Sequence, residues 1–203
     1  MDKRIITISR QYGSGGHAIA KLVAQKLGVP FYDNQLITEV AKKSGFSVDF
    51  VRENEENANY SNSFLYQLAM SVTGLHGRSS YQKLFEAQSQ VIRELAERES
   101  CVIVGRCADY ILQHRTDCLN VFVYADTKRR CSRILEQYGV GEKSTEARMK
   151  EKDDRRRNYY RFFTDREWGL CENYHLSLDS GMFGLAKSAD LIVAAAKDGL
   201  FCN

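Results

Sequence analysis

Apolar residues follow two patterns along the chain: short continuous runs, and stripes at helical spacing. The runs are rich in Val, Ile and Phe, which is typical of strands buried in a parallel sheet. Helical segments separate them, and this alternation predicts an α/β fold with five strands. The predicted strands lie at 5–8, 29–32, 101–105, 119–124 and 174–178.

The stripes predict amphipathic helices between the strands. The first stripe extends from about residue 15 to Lys26, and Gly28 stands where a helix commonly ends in a left-handed residue. Asp126 and Thr127 have the residue types that cap a helix N-terminus, and that helix is predicted to end at Tyr138. Further helices are predicted near 107, at 81–98 and at 183–197.

Residues 34–99 interrupt the alternation, because they contain no strand pattern. They are helical in several pieces, with breaks near Gly45, at 60–62 and at 74–80. We therefore predict a helical insertion between the second and third strands.

Composition and charge narrow the class of protein. The 203 residues are 43% hydrophobic and 27% charged, which is a globular composition, and the net charge of +3 requires neither nucleic acid nor an anionic membrane as a partner. The apolar runs have strand length, and the first residues lead directly into a strand. We expect a cytoplasmic protein that binds no nucleic acid and no membrane.

The six cysteines lie far apart and form no C-x-x-C pair. Scattered cysteines in a cytosolic protein are most often small buried hydrophobic residues. No metal site formed by protein side chains alone is predicted.

A glycine-rich loop follows the first strand and precedes the first helix. Gly13, Gly15 and Gly16 let backbone amides approach an anion, and the helix directs its positive end to the same place. The loop departs from the G-x-x-x-x-G-K-[ST] pattern, since Arg10 stands at the first glycine, Gly16 at the lysine and His17 at the hydroxyl residue. Its shape predicts phosphate binding, while its catalytic cation is missing from the usual position.

Asp33 and Arg106 follow the second and third strands, where parallel sheets place their ligands. Asp33 is a candidate to hold a Mg²⁺-bound water or to accept a proton from a substrate hydroxyl, and equally a candidate helix N-cap. Arg106 is a candidate phosphate ligand, or else it pairs with a surface carboxylate or helps to cap a neighbouring helix.

The segment 143–166 carries the densest charge in the chain. Its arginines suit the binding of phosphate oxygens under a closing lid. The alternative is a solvated helix face with pairs such as Asp153 with Arg157 and Glu151 with Arg155. Aromatic residues in and beside the segment are predicted to pack at its hinge rather than to stack on a base.

Several motifs in order resemble the cytidylate kinase-like family of P-loop proteins. They read I-S-R-Q-Y-G-S-G-G-H at 8–17, P-F-Y-D at 30–33, V-G-R at 104–106, D-T-K-R-R at 126–130 and D-D-R-R-R-N at 153–158. The resemblance implies a three-layer α/β/α P-loop NTPase fold with a five-stranded parallel sheet. It places a helical NMP-type insertion at about 34–99 and a helical lid at about 139–168, all in one domain spanning 1–203.

The resemblance also implies an activity, transfer of the γ-phosphate of ATP, with Mg²⁺, to CMP or dCMP. Cys107 departs from the family's G-R-D segment, where an aspartate follows the arginine. A nucleotide-binding regulatory protein without catalysis and a kinase of a non-nucleotide metabolite stay open as alternatives, as does a homodimer. The implied phosphate cradle is Gly13, Ser14, Gly15, Gly16, His17 and Ala18; the acceptor residues are Asp33 and Arg106; the lid cations are Arg155, Arg157 and Arg161. Arg10 is hypothesised to replace the lysine.

Overall fold

Five parallel strands form one sheet at the centre of the molecule. A computed structural model describes residues 5–33, 35–45, 47–49 and 80–197. The strand order across the sheet is β2-β3-β1-β4-β5, so β1 lies in the middle and pairs with β3 and β4. The strands are β1 (Ile5–Arg10), β2 (Phe31–Tyr32), β3 (Cys101–Val104), β4 (Cys118–Tyr124) and β5 (Leu176–Asp179).

Helices cover both faces of this sheet. Alternate residues of each strand point to opposite faces, so Ile5 joins the core on one side and Ile6 the core on the other. The described helices are α1 (Gly16–Leu27), α2 (Gln35–Ser44), α3 (Ser80–Arg98), α4 (Ala108–Ile111), α5 (Thr127–Tyr138), α6 (Thr145–Thr164) and α7 (Ser180–Lys197), with a 3-10 turn at Cys171–Asn173. Helices α1 and α7 pack on one face, and α2, α3, α4 and α6 on the other.

The predicted α/β class, parallel sheet and three layers are confirmed, and the deviations lie at element ends. β2 is shorter than predicted and starts after Pro30, which has no N–H to donate to a neighbouring strand. β5 starts two residues later than predicted, because the chain before it forms the 3-10 turn. Helix α7 starts at Ser180, earlier than predicted, and is kinked at Gly184.

The predicted insertion and lid are described in part. Helix α2 ends at Ser44, next to Gly45, as the break there predicted. The predicted breaks at 60–62 and 74–80 lie outside the described residues, except for Ser80, which belongs to helix α3 and not to a break. In the lid region, α5 ends before Gly139 and Ser144 caps α6 by accepting a hydrogen bond from the Ala147 amide. The extent of the single domain and of its two helical parts stays a prediction.

The predictions about cysteine burial and about the ion pairs of α6 are confirmed only in part. Cys101, Cys107 and Cys118 are buried, as predicted, and burial raises the pKa of the Cys101 thiol to about 12, but Cys171 is exposed. The ion pair predicted between Asp153 and Arg157 is wrong. Asp153 turns inward to Arg130 of α5, and Arg157 pairs with Asp154 on the exposed face.

Among the described helices, none combines the length and the apolar composition that a membrane crossing requires.

Candidate functional site

The glycine loop connects the end of β1 to the start of α1 at the carboxyl edge of the sheet. Gly13 and Gly15 both have a φ of 78°, a left-handed conformation that other residues rarely adopt. A Cβ on Gly13 would lie 2.8 Å from the Arg130 carbonyl oxygen, and one on Gly15 would lie 2.4 Å from a Leu185 methyl carbon. The sequence therefore needs glycine at both positions to form this loop.

Arg10 and Gly16 occupy complementary positions in the loop. A Cβ on Gly16 would lie 2.4 Å from the Arg10 Cβ and 2.9 Å from its Cγ. No side chain fits at residue 16 in this backbone while residue 10 carries a Cβ. A residue other than glycine at position 10, here an arginine, therefore requires glycine at position 16, where the usual pattern has its lysine.

The amides at the start of α1 complete the loop. The first amides of a helix have no acceptor within the helix, and they give its N-terminus a partial positive charge. His17 and Ala18 lie in this first turn and are exposed. The cradle that glycine allows, together with these amides, fits a phosphate group.

A second strained turn follows β3. Gly105, Arg106 and Cys107 have φ values of 69°, 59° and 54°, so three successive residues are left-handed. Gln88 of α3 donates a hydrogen bond to the Arg106 carbonyl, at 3.0 Å, from a buried position. Left-handed backbone in non-glycine residues persists where the surrounding structure enforces it, and it is common at functional sites.

This turn places the Arg106 guanidinium inside the protein. Burial lowers the pKa of Arg106 to about 10, against the opposing effect of Asp33, and the positive charge of Arg10 adds to the decrease. The side chain keeps its charge at neutral pH. Two mutually repelling guanidinium groups near one another favour the binding of an anion between them.

Arg156 of α6 brings a third guanidinium to the same place. It donates a hydrogen bond to the Arg10 carbonyl at 3.0 Å, and its guanidinium carbon lies 5.9 Å from the centre of the Tyr12 ring. Arg10, Arg106 and Arg156 line one small cavity beside the loop, and none of the described residues that line it is acidic. The other lining residues are Ser9, Gly105, Cys107, Tyr159, Tyr160 and Trp168.

The other predicted lid arginines are placed differently. Arg155 pairs with Glu151, as predicted, Arg157 pairs with Asp154, and Arg161 is exposed. Sequence reasoning missed Arg156 as the arginine that faces the site. No sequence signal singled it out, because Arg155 and Arg156 each lie four residues before a tyrosine, and both Tyr159 and Tyr160 are buried.

Asp33 and His17 form a pair at the opposite side of the loop. His17 Nε2 lies 3.0 Å from Asp33 Oδ2, and the imidazole meets the Phe31 ring edge to face. Burial acts to raise the pKa of Asp33, but the His17 hydrogen bond and the charges of Arg10 and Arg106 outweigh it and hold the pKa below its usual value. Asp33 is therefore an ionised carboxylate next to the phosphate cradle.

No group of three or more metal-ligating side chains occurs among the described residues. A cation at this site would depend on phosphate oxygens and water for most of its coordination, as Mg²⁺ does in nucleotide sites. Asp33 is a carboxylate in this part of the site, and its nearest charged partner is His17. The aromatic residues around α6 pack against the core, as predicted, with Phe163 stacked on Phe85 at 4.1 Å.

Comparison with known proteins finds relatives that match nearly the whole chain. The profile of the cytidylate kinase-like family matches residues 5–182. A cytidylate kinase from Archaeoglobus fulgidus is 28% identical over 199 residues, which cover 95% of this chain and 94% of that enzyme. The crystal structure of an uncharacterized protein from Eubacterium ventriosum is 29% identical with a TM-score of 0.74, covering 97% of this chain and 99% of the other.

The fold is shared more widely. Shikimate kinase from Acinetobacter baumannii superposes with a TM-score of 0.54 at 15% identity, covering 98% of this chain and 96% of the enzyme. At that identity the similarity concerns the P-loop kinase fold alone.

Proposed function

The chain belongs to the cytidylate kinase-like family, and from this premise we propose that it transfers the γ-phosphate of ATP to a nucleoside monophosphate, CMP or dCMP in the first instance. Membership of this family and the P-loop kinase fold support a kinase-type phosphotransferase. What we propose is the identity of the acceptor and of the residues that carry out the reaction.

The observation that carries the proposal is the cavity lined by Arg10, Arg106 and Arg156 beside the glycine loop. Phosphoryl transfer between two nucleotides brings several negative charges together, and fixed cations aimed at that point lower the barrier. A hydroxyl acceptor also needs the charge of the transferring phosphate to be neutralised, but it adds no phosphate charge of its own. The three arginines therefore favour a phosphate monoester as the acceptor.

Each part of the cradle has a role in this account. The loop from Gly13 to Ala18 binds the phosphates of ATP, and Mg²⁺ bound with ATP supplies additional charge neutralisation. Asp33 holds a water of that cation, and Arg106 binds the phosphate of the acceptor. The acceptor phosphate is already anionic, so positioning and charge stabilisation dominate and no general base is needed.

Arg10 takes the role of the missing lysine. In P-loop kinases the lysine contacts the β- and γ-phosphates, and loss of one such contact in a transition state costs about 100-fold or more in rate. Arg10 begins the loop and excludes any side chain at position 16. A guanidinium there supplies a permanent charge with several fixed donors.

The lid is proposed to supply further charge. Arg155, Arg157 and Arg161 stay predicted lid cations, and the position of Arg156 over Tyr12 adds it to this set. Their helix α6 already contacts the loop through Asp153 and Arg156, and in the proposed mechanism it covers the cavity and excludes water from the transfer step.

The test is acceptor-dependent release of ADP by the purified protein with Mg²⁺-ATP and a panel of acceptors. The panel contains the nucleoside monophosphates and, as the contrasting class, hydroxyl metabolites such as shikimate. Turnover that requires CMP or dCMP supports the proposal. Turnover only with a hydroxyl acceptor would identify a metabolite kinase, and nucleotide binding without turnover would identify a regulatory protein.

A further inference from the structure

Two arginines on one face of helix α5 donate hydrogen bonds to backbone carbonyls of the glycine loop. Arg130 Nε donates to the Tyr12 carbonyl at 2.7 Å, and Arg133 Nη1 donates to the Ser14 carbonyl at 2.7 Å. The two arginines are three residues apart and so project from the same side of the helix. Both therefore hold alternate carbonyls of one loop from a single helix.

Asp153 and Ser180 add further hydrogen bonds to the same part of the loop. The Tyr12 amide donates to Asp153 Oδ1 at 2.8 Å, and Asp153 also accepts a hydrogen bond from Arg130 in a pair whose side chains are at most a tenth exposed. Ser180 Oγ donates to the Ser14 carbonyl, and Arg133 Nη2 donates to the Ser180 carbonyl at 2.8 Å. Both carbonyls are thus fixed by charged or buried donors.

The direction of the carbonyls decides the direction of the amides. A peptide unit is planar and trans, so the N–H of one residue points opposite to the carbonyl of the residue before it. With the Tyr12 and Ser14 carbonyls held toward α5, the N–H groups of Gly13 and Gly15 point away from α5. A loop without this restraint would rotate freely at two glycines, because glycine tolerates both signs of φ.

We propose that Arg130 and Arg133 are positioning residues that fix the Gly13 and Gly15 amides in the direction of a bound phosphate. Asp153 assists by accepting hydrogen bonds from the Tyr12 amide and from Arg130. This inference rests on the proposed function, because it assigns the phosphates of a nucleotide to the loop. Neither arginine touches the nucleotide in this account. Their effect is preorganisation: the loop's hydrogen-bond donors face the anion before it arrives.

The test measures nucleotide affinity in variants that keep the protein folded. A single Asp153→Ala change would leave Arg130 buried without its partner and risks unfolding, whereas replacing a buried pair by apolar residues of similar size is often neutral for stability. The main variant is therefore the double change Arg130→Met with Asp153→Leu. Arg133→Met and Arg133→Lys form an independent series. The matched control is Arg115→Met, because Arg115 pairs with Asp117 at the far end of the sheet.

Five quantities are measured for each variant: the dissociation constant for ATP by calorimetry, KM, kcat, the urea midpoint of unfolding, and the NMR shifts of the Gly13 and Gly15 amides on addition of ADP. The double variant and Arg133→Met are expected to weaken ATP binding and raise KM for ATP at least tenfold. The unfolding midpoint of the double variant is expected to stay near that of the wild type, and its two glycine amides to respond less to ADP. Arg133→Lys keeps the positive charge and a single donor nitrogen and is expected to lose less affinity, and Arg115→Met is expected to leave affinity unchanged.

The outcomes separate this inference from the function on which it rests. If the wild type binds ATP and the folded variants bind it equally well, the arginines are structural and the inference is overturned while the proposed function stands. If the wild type binds no nucleotide, both are overturned. Should the double variant fail to fold, the Arg133 series decides the question by the same criterion.

Discussion

The Arg10 side chain fills the space that any side chain on Gly16 would need, with 2.4 Å between the Arg10 Cβ and the Cβ that residue 16 would carry. The two departures from the usual phosphate-loop pattern are therefore one linked change. An arginine at the first position and a lysine at the seventh are mutually exclusive in this backbone. In the proposed mechanism the loop keeps one cation, which stands at the end of the strand rather than at the start of the helix.

This relationship predicts that residue 16 tolerates no side chain. We expect Gly16→Ala to lower the free energy of unfolding by about 1–3 kcal/mol, the usual cost of overpacking. Urea unfolding measures this effect. Gly28→Ala is the control for a glycine in an open, left-handed position, since a Cβ there meets nothing within 4 Å and the cost is backbone strain alone, about 1 kcal/mol.

The same relationship predicts reciprocal rescue. Arg10→Ala is expected to lower kcat/KM for ATP about 100-fold, since it removes the proposed phosphate cation. The double change Arg10→Gly with Gly16→Lys creates the conventional pattern and is expected to recover a substantial part of that loss. Unchanged kinetics in Arg10→Ala would exclude Arg10 from the reaction, and rescue that fails in a folded double variant would argue against equivalence of the two cations.

The three neighbouring lid arginines are expected to differ in effect. Arg156→Ala is expected to lower kcat at least tenfold, because Arg156 alone of the three lines the arginine cavity. Arg155→Ala and Arg157→Ala break pairs with Glu151 and Asp154 and are expected to cost less. Steady-state kinetics of the three variants checks the order, and a larger loss for Arg157→Ala than for Arg156→Ala would reverse the assignment.

The lowered pKa of Asp33 predicts that the stability of the protein depends on pH in the acid range. Its pKa is lowered in the folded protein, so its contribution to stability is complete above the unfolded pKa of about 3.9 and is lost as the pH falls through the folded value. We expect Asp33→Asn to cost about 1 kcal/mol at pH 7, since the His17 partner is half exposed. Urea unfolding at pH 7, 5 and 3 should show the difference from the wild type shrinking only below about pH 4, and a difference that grows with acid would contradict this account.

Tyr160 links the lid helix to the turn that carries Arg106. Its hydroxyl donates to Asp109 Oδ2 at 2.6 Å, and burial raises the pKa of Asp109 even though this hydrogen bond and the Arg166 charge oppose the rise. Tyr160→Phe removes a donor from a buried carboxyl and is expected to cost about 1–3 kcal/mol of unfolding free energy. Tyr124→Phe, at a partly exposed ring, is the control and should cost much less.

The backbone of the site was accessible from the sequence because its signals are local. Glycine spacing after a β-branched run predicts the loop, and the apolar run before Gly105 and Arg106 predicts the turn at the edge of the sheet. Asp126 as a helix cap is confirmed by its hydrogen bond from the Arg129 amide at 2.9 Å. Each of these depends on residues within a few positions of one another.

The side-chain contacts that define the chemistry of the site could not be predicted from local sequence signals. Arg130 meets Tyr12 across 118 positions of sequence, and Arg156 meets Arg10 across 146. A charged helix with arginines at three successive positions does not by itself show which one faces inward. The compensation between Arg10 and Gly16 depends on where one side chain lies in space, and the pattern alone shows only two mismatches.

The central claim is that this chain moves the γ-phosphate of ATP to a nucleoside monophosphate with Arg10 in place of the loop lysine. The most direct measurement supplies ATP labelled in its γ-phosphate and CMP to the wild type and to Arg10→Ala, with Mg²⁺, and follows the label. The account predicts labelled CDP from the wild type and about 100-fold slower labelling by the variant. Label that stays on ATP or appears only as inorganic phosphate, in wild-type protein that binds ATP, would contradict it.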